Sequence, residues 1–121
     1  MTPANHREKA ERIERALDVL TDADWEMRIE AAMLAGTHWA NFALHRVGVS
    51  AENEDITHTS MCTVNAIRKY KLAEQQLLEQ LDEIEEMRPV YVRGDIEGGP
   101  EAGRRALSLL RAIGARARQL A

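Results

Sequence analysis

A single cysteine, Cys62, stands in the whole chain, so no intrachain disulfide can form. That absence fits a reducing compartment, and a cytoplasmic location is the expectation. Aromatic residues are scarce as well: Trp25, Trp39, Phe42, Tyr70 and Tyr91 are the five. A sheet protein packs its pleated faces with more aromatic and β-branched side chains than this. No apolar run approaches the length that spans a bilayer, so no membrane association is expected. The opening stretch, MTPANHREKAERIER, is charged and lacks the apolar centre of a secretory signal. No repeat or low-complexity segment stands out. Net charge is −4, which argues against nonspecific coating of nucleic acid.

What is present points to helices. Hydrophobic residues make up 45% and charged residues 30% of 121 positions, the composition of a soluble globular chain. Ala, Leu, Glu and Arg, all good helix formers, are abundant. The length fits one domain, residues 1–121. Charge is distributed unevenly. Residues 74–86 hold six acids and no base, whereas residues 101–121 hold Arg104, Arg105, Arg111, Arg116 and Arg118 against Glu101 alone. Two such stretches suit neighbouring helices facing each other, or solvated faces. A row of arginines can also follow phosphates.

Periodicity gives four helices. The first runs from about Asn5 to Leu20, with Ile13, Ala16, Leu17 and Leu20 as its apolar stripe. Glu8–Arg12 and Glu11–Arg15 pairs support its exposed side. Thr21 or Asp22 caps a second helix that reaches Val47 and stops at Gly48. A third starts between Thr57 and Ser60 and runs to Met87, where Pro89 ends it. Residues 90–100 read as a loop with a short extended or helical turn. A fourth helix follows Pro100. The expected fold class is all-α, an antiparallel four-helix up-down bundle with two long central helices.

The second helix is apolar on two sides. Trp25, Ile29, Ala32, Gly36, Ala40, Ala43 and Val47 share one face, and the small ones invite a close helix, the third by expectation. The opposite face carries Met27, Ala31, Leu34, His38, Asn41, Phe42 and His45. A helix apolar on both sides is buried on both sides. Its second face therefore meets either another helix of the chain or a second copy, and a two-fold homodimer through this helix is the expectation. His38, Asn41 and His45 would lie in that seam, where each needs a hydrogen-bond partner. They read either as register-fixing polar groups or as the lining of a small site.

The helix AAMLAGTHWANFALHRVGV, residues 31–49, resembles the small-residue, histidine-bearing helix of HEPN domains. The stretch RPVYVRGDIEGGPEAGRRALSLLRAI resembles their last segment, an arginine-bearing loop followed by a helix. The resemblance covers residues 25–118. It implies an antiparallel helical bundle that dimerises through central helices and binds or cleaves RNA, or partners another protein. The family's nuclease motif is an arginine followed by a histidine four to six residues later. Arg93 occupies the loop, but Gly98, Gly99 and Pro100 stand where the histidine belongs. A non-catalytic binding module, RNA- or nucleotide-associated, is thus the leading expectation. A ribonuclease with a displaced histidine, or a metal-binding bundle, is the alternative. In the nuclease version Arg46 or Arg93 holds a phosphate while His38 or His45 acts as general base.

Other chemistry has thinner support. His38 and His45 are seven residues apart, about 10 Å along a helix, which is too far for both to grip one ion. One of them could join His58 or a carboxylate from another element. Glu-x-x-His pairs are absent, and Asp55–His58 has that spacing only once and in a loop. No metal or other cofactor is assigned on this basis. Cys62 lacks a neighbouring histidine and reads as a small apolar side chain. The glycines around residue 98 form no phosphate-binding motif. The candidate polar set is His38, Asn41, His45, Arg46, His58 and Arg93.

Overall fold

A computed structural model describes residues 1–120. The described chain is all-helical and contains no strand. Helix α1 spans Pro3–Leu17, α2 Trp25–Arg46, α3 Val64–Ala73, α4 Gln75–Met87 and α5 Gly99–Gln119. Short 3-10 turns cover Asp22–Asp24 and Thr59–Met61, and a π-helical turn covers Arg88–Val92.

Local chemistry sets the helix starts. The Thr2 hydroxyl accepts the Asn5 N–H at 3.2 Å, and Pro3 occupies the first helical position, where a missing N–H goes unnoticed. Thr21 and Asp24 form a reciprocal capping box, with the Thr21 N–H donating to Asp24 Oδ2 at 2.8 Å. At the far end of α2, Gly48 takes a positive φ of 75°. That left-handed turn lets the Val49 and Ser50 N–H groups both return to the Leu44 carbonyl. It also swings Ser50 back beside His45.

Two expectations need correction. The third helix is not continuous. At Glu74 the backbone leaves helical geometry (φ −141°, ψ 67°) and the chain folds back, so that Lys71 Nζ lies 2.9 Å from Asp82 Oδ2. Eleven residues of straight helix would hold those side chains roughly 16 Å apart. The cause is tertiary: the buried Glu74 carboxylate is turned onto α5, where Arg116 holds it bidentately at 2.7 and 2.9 Å. Nor does Pro89 end the helix. The chain continues through a π turn in which Arg93 N–H bonds the Arg88 carbonyl and Gly94 N–H the Pro89 carbonyl. The wider turn tolerates the proline because its hydrogen bonds skip one residue further along the chain.

Helix α2 lies between its neighbours, with α1 on one side and α5 and α4 on the other. Ile29, Trp39 and Leu44 of α2 are fully enclosed, along with Leu77, Leu78, Leu81 and Ile84 of α4 and Ile113 of α5. The small-residue face does admit close neighbours. A Cβ on Gly36 would stand 3.1 Å from Leu81 and 3.6 Å from Ile113. The other apolar face is covered only in part: α1 packs against it, so the burial of Asn41 and Phe42 needs no second copy, whereas Met27 and Leu34 stay 58% and 48% exposed, contrary to the expected burial of the whole face. The charged stretches do meet: Arg105 pairs with Glu83 and Arg116 with Glu74. Arg104 turns instead to Asp22, and Arg118 to Glu14. No described helix is long and apolar enough to cross a membrane.

Candidate functional site: a buried imidazole–carboxylate cluster

The α1 stripe Ala10, Ile13 and Leu17 extends one turn earlier to His6, which faces inward and is 1% exposed. There His6 fills the gap between the two α2 histidines. Its ring centroid lies 5.2 Å from that of His38 and 5.3 Å from that of His45. The loop after α2 then closes over the rings. Asp55 Oδ1 sits 2.9 Å from His6 Nε2 and 2.8 Å from His45 Nε2, so two ring nitrogens converge on one carboxylate oxygen. The other oxygen, Oδ2, accepts from the Met1 amino group at 3.1 Å.

The remaining partners hold this arrangement in place. Asn41 is buried and uses both amide atoms on one backbone residue. Its Oδ1 accepts the Ile56 N–H at 2.7 Å and its Nδ2 donates to the Ile56 carbonyl at 2.9 Å. That clamp fixes the residue next to Asp55. His45 Nδ1 contacts the Ser50 hydroxyl at 2.7 Å and the Ser50 carbonyl at 3.2 Å. His6 Nδ1 contacts His38 Nδ1 at 2.9 Å, a separation that requires a proton on one of the two nitrogens.

Electrostatics keep the cluster low in positive charge. Burial pushes the His38 pKa down to about 4, helped by His6, Lys9 and Arg12 nearby and only partly opposed by Asp55. Burial also lowers His6, against the pull of the Asp55 carboxylate. For Asp55 burial alone would raise the pKa. Hydrogen bonds from His6, His45 and the amino terminus outweigh it and hold the carboxyl at about 2. Near neutral pH His6 and His38 are neutral imidazoles beside a carboxylate anion, Asp55.

Such a set is metal-ligand chemistry. One donor atom each from His6, His45 and Asp55 lies within 4.8 Å of the other two. Donors around one ion, at bond lengths near 2.0–2.2 Å, stand roughly 3–4 Å apart, so a small shift of Asp55 away from its 2.9 and 2.8 Å contacts with the two rings would admit one. The histidines come from rigid helices and are nearly inaccessible, at 2% and 1% side-chain exposure, whereas Asp55 is 32% exposed and marks the open side.

The structure brings together three of the six residues singled out by sequence, His38, Asn41 and His45. The other three lie elsewhere. Arg46 is exposed at the end of α2. His58 bonds Glu85 Oε1 at 3.0 Å through Nδ1, while Glu85 Oε2 takes the Thr59 N–H and hydroxyl. Arg93 is exposed and shares with His58 a groove of about 600 Å³ also lined by Asp82, Glu85 and Arg88. The half-buried Cys62 has its thiol pKa raised by burial, so it stays protonated. His6 and Asp55 are the residues that periodicity alone passes over. Their signal is faint: a histidine four residues before Ala10 on the buried stripe, and a carboxylate one residue from the clamped Ile56.

Comparisons with protein-family models, with curated proteins and with solved structures give no match.

Proposed function

We propose that this protein is a metal-binding helical bundle that holds one divalent first-row transition ion per chain through His6, His45 and Asp55. The convergence of both ring nitrogens on a single Asp55 oxygen carries the reading. Two imidazoles and one carboxylate suit zinc, iron, cobalt or nickel, whereas magnesium and calcium prefer all-oxygen sites. Ser50 stands where a metal-bound histidine places its outer N–H, on a carbonyl or hydroxyl. Three protein ligands leave coordination positions for water or an exogenous ligand on the Asp55 side. All three come from one chain, so a homodimer through α2 is compatible with the site and not required by it. We read α1, α2, α4 and α5 as the rods of an antiparallel up-down bundle, with α3 as a side arm on α4.

A HEPN-like RNA-binding or protein-partnering role has weaker support. Among the described residues no arginine is hydrogen-bonded to the cluster's imidazoles, and four of the five α5 arginines are engaged with carboxylates.

The test is metal content and zinc affinity of protein purified without chelators. We expect one bound equivalent, with binding lost in His6→Ala and Asp55→Ala and strongly weakened in His45→Ala. A protein that takes up no zinc, or binds it equally well after all three substitutions, rules the reading out.

A further inference from the structure

We propose that His38 sets the tautomer of His6, and thereby the strength with which the site holds a metal, without touching the metal itself; this rests on the metal-binding reading above. With no metal, the distances assign the protons. His6 donates from Nε2 to Asp55 Oδ1 at 2.9 Å, so its Nδ1 carries a lone pair. That lone pair accepts from His38 Nδ1–H at 2.9 Å. A metal needs the opposite arrangement at His6. Nε2 must offer its lone pair to the ion, and the ring proton must reside on Nδ1. His6 is 1% exposed, so solvent cannot receive that proton's hydrogen bond. Among the described residues, the one hydrogen-bond partner of His6 Nδ1 is His38 Nδ1.

His38 can serve because an imidazole presents either a donor or an acceptor at the same nitrogen. On metal binding the His6 proton moves from Nε2 to Nδ1. The His38 proton moves from Nδ1 to Nε2, an atom of a partly exposed residue that is not among the buried, unpartnered ones, so water can receive its hydrogen bond. Two protons are present before and two after, and none is lost. A side chain with no acceptor at this point would leave a metal-bound His6 with a buried, unsatisfied N–H. His38 is thus a positioning residue one shell out from the ion.

Zinc ion is the probe, with isotopically labelled full-length protein. Expected in the histidine nitrogen spectra is a zinc-dependent exchange of the protonated and unprotonated nitrogens of His38. Expected in binding isotherms is a loss of roughly 10- to 100-fold in zinc affinity for His38→Phe. His38→Gln, whose amide oxygen accepts a hydrogen bond, should regain most of it. Gln cannot match the packing of an imidazole, so its rescue separates hydrogen bonding from simple filling of space. If His38 keeps its Nδ1 proton in the zinc-loaded wild type, or His38→Phe binds zinc as tightly as wild type, this inference is overturned and the metal site stands. If wild type binds no zinc, both fall together.

Discussion

His6 and His38, packed ring against ring, resist protonation, because an added charge on either is buried. This makes a sign-definite statement about acid stability of the metal-free protein. In the unfolded chain a histidine takes its proton near pH 6.5; in the fold His38 does so only at about 4, and His6 is lowered too. Between those values the unfolded state binds more protons, so stability falls as pH falls. Asp55, held at about 2 against an ordinary 3.8, adds a further loss below pH 4. Thermal melts should therefore show a melting temperature that declines continuously from pH 7 to pH 4 and drops further below. A flat profile over that range would contradict the described burial. At this scale the α2 residues were legible from spacing, since His38, Asn41 and His45 share a face that nothing but packing could cover. His6 and Asp55 were not, because what joins them to that face is the crossing of α1 over α2 and the return of a loop. Neither leaves a periodic trace.

Among the elements, the Thr21 cap made the start of the second helix readable, whereas the Thr2 cap went unread and the first helix was expected only from about Asn5. Thr2 with Pro3, and Thr21 with Asp24, are local signals whose chemistry completes within four residues. The break between α3 and α4 was not readable, because nothing near Glu74 disfavours a helix; the pull comes from Arg116, 42 residues away. The start of α5 shows a similar dependence on distant parts of the chain. A Cβ on Gly99 would lie 2.5 Å from the Trp25 indole, and one on Gly103 3.0 Å from the Trp25 Cβ. The two glycines look like helix-weakening residues in isolation, yet they let α5 seat against the first turn of α2. Gly99→Ala should destabilise the protein by about 1–3 kcal/mol through overpacking. Urea unfolding would register this as a lower midpoint with an unchanged slope. An unchanged midpoint would mean that Trp25 is free to move aside.

For the whole molecule, the helical core and the imidazole–carboxylate cluster are one construction. The core fixes α2 between α1 and α5, and the same α1–α2 contact sets His6 between His38 and His45. The loop over residues 48–58 then needs only the Gly48 turn and the Asn41 clamp to deliver Ser50 and Asp55. All-helical architecture was legible from composition and period, and the two-sided burial of α2 was legible for its middle, though Met27, Leu34 and Val47 stay exposed. The identity of what covers its second face was not: the sequence favoured a second copy, and it is α1 of the same chain that packs there. The claim on which the functional account stands is that this fold converges two imidazoles and one carboxylate on an ion. X-ray absorption at the zinc edge of the loaded protein addresses it directly. We expect a nitrogen and oxygen shell containing two imidazoles, falling to one in any zinc retained by His6→Ala. A shell with no imidazole, or one that includes the Cys62 sulfur, would contradict it.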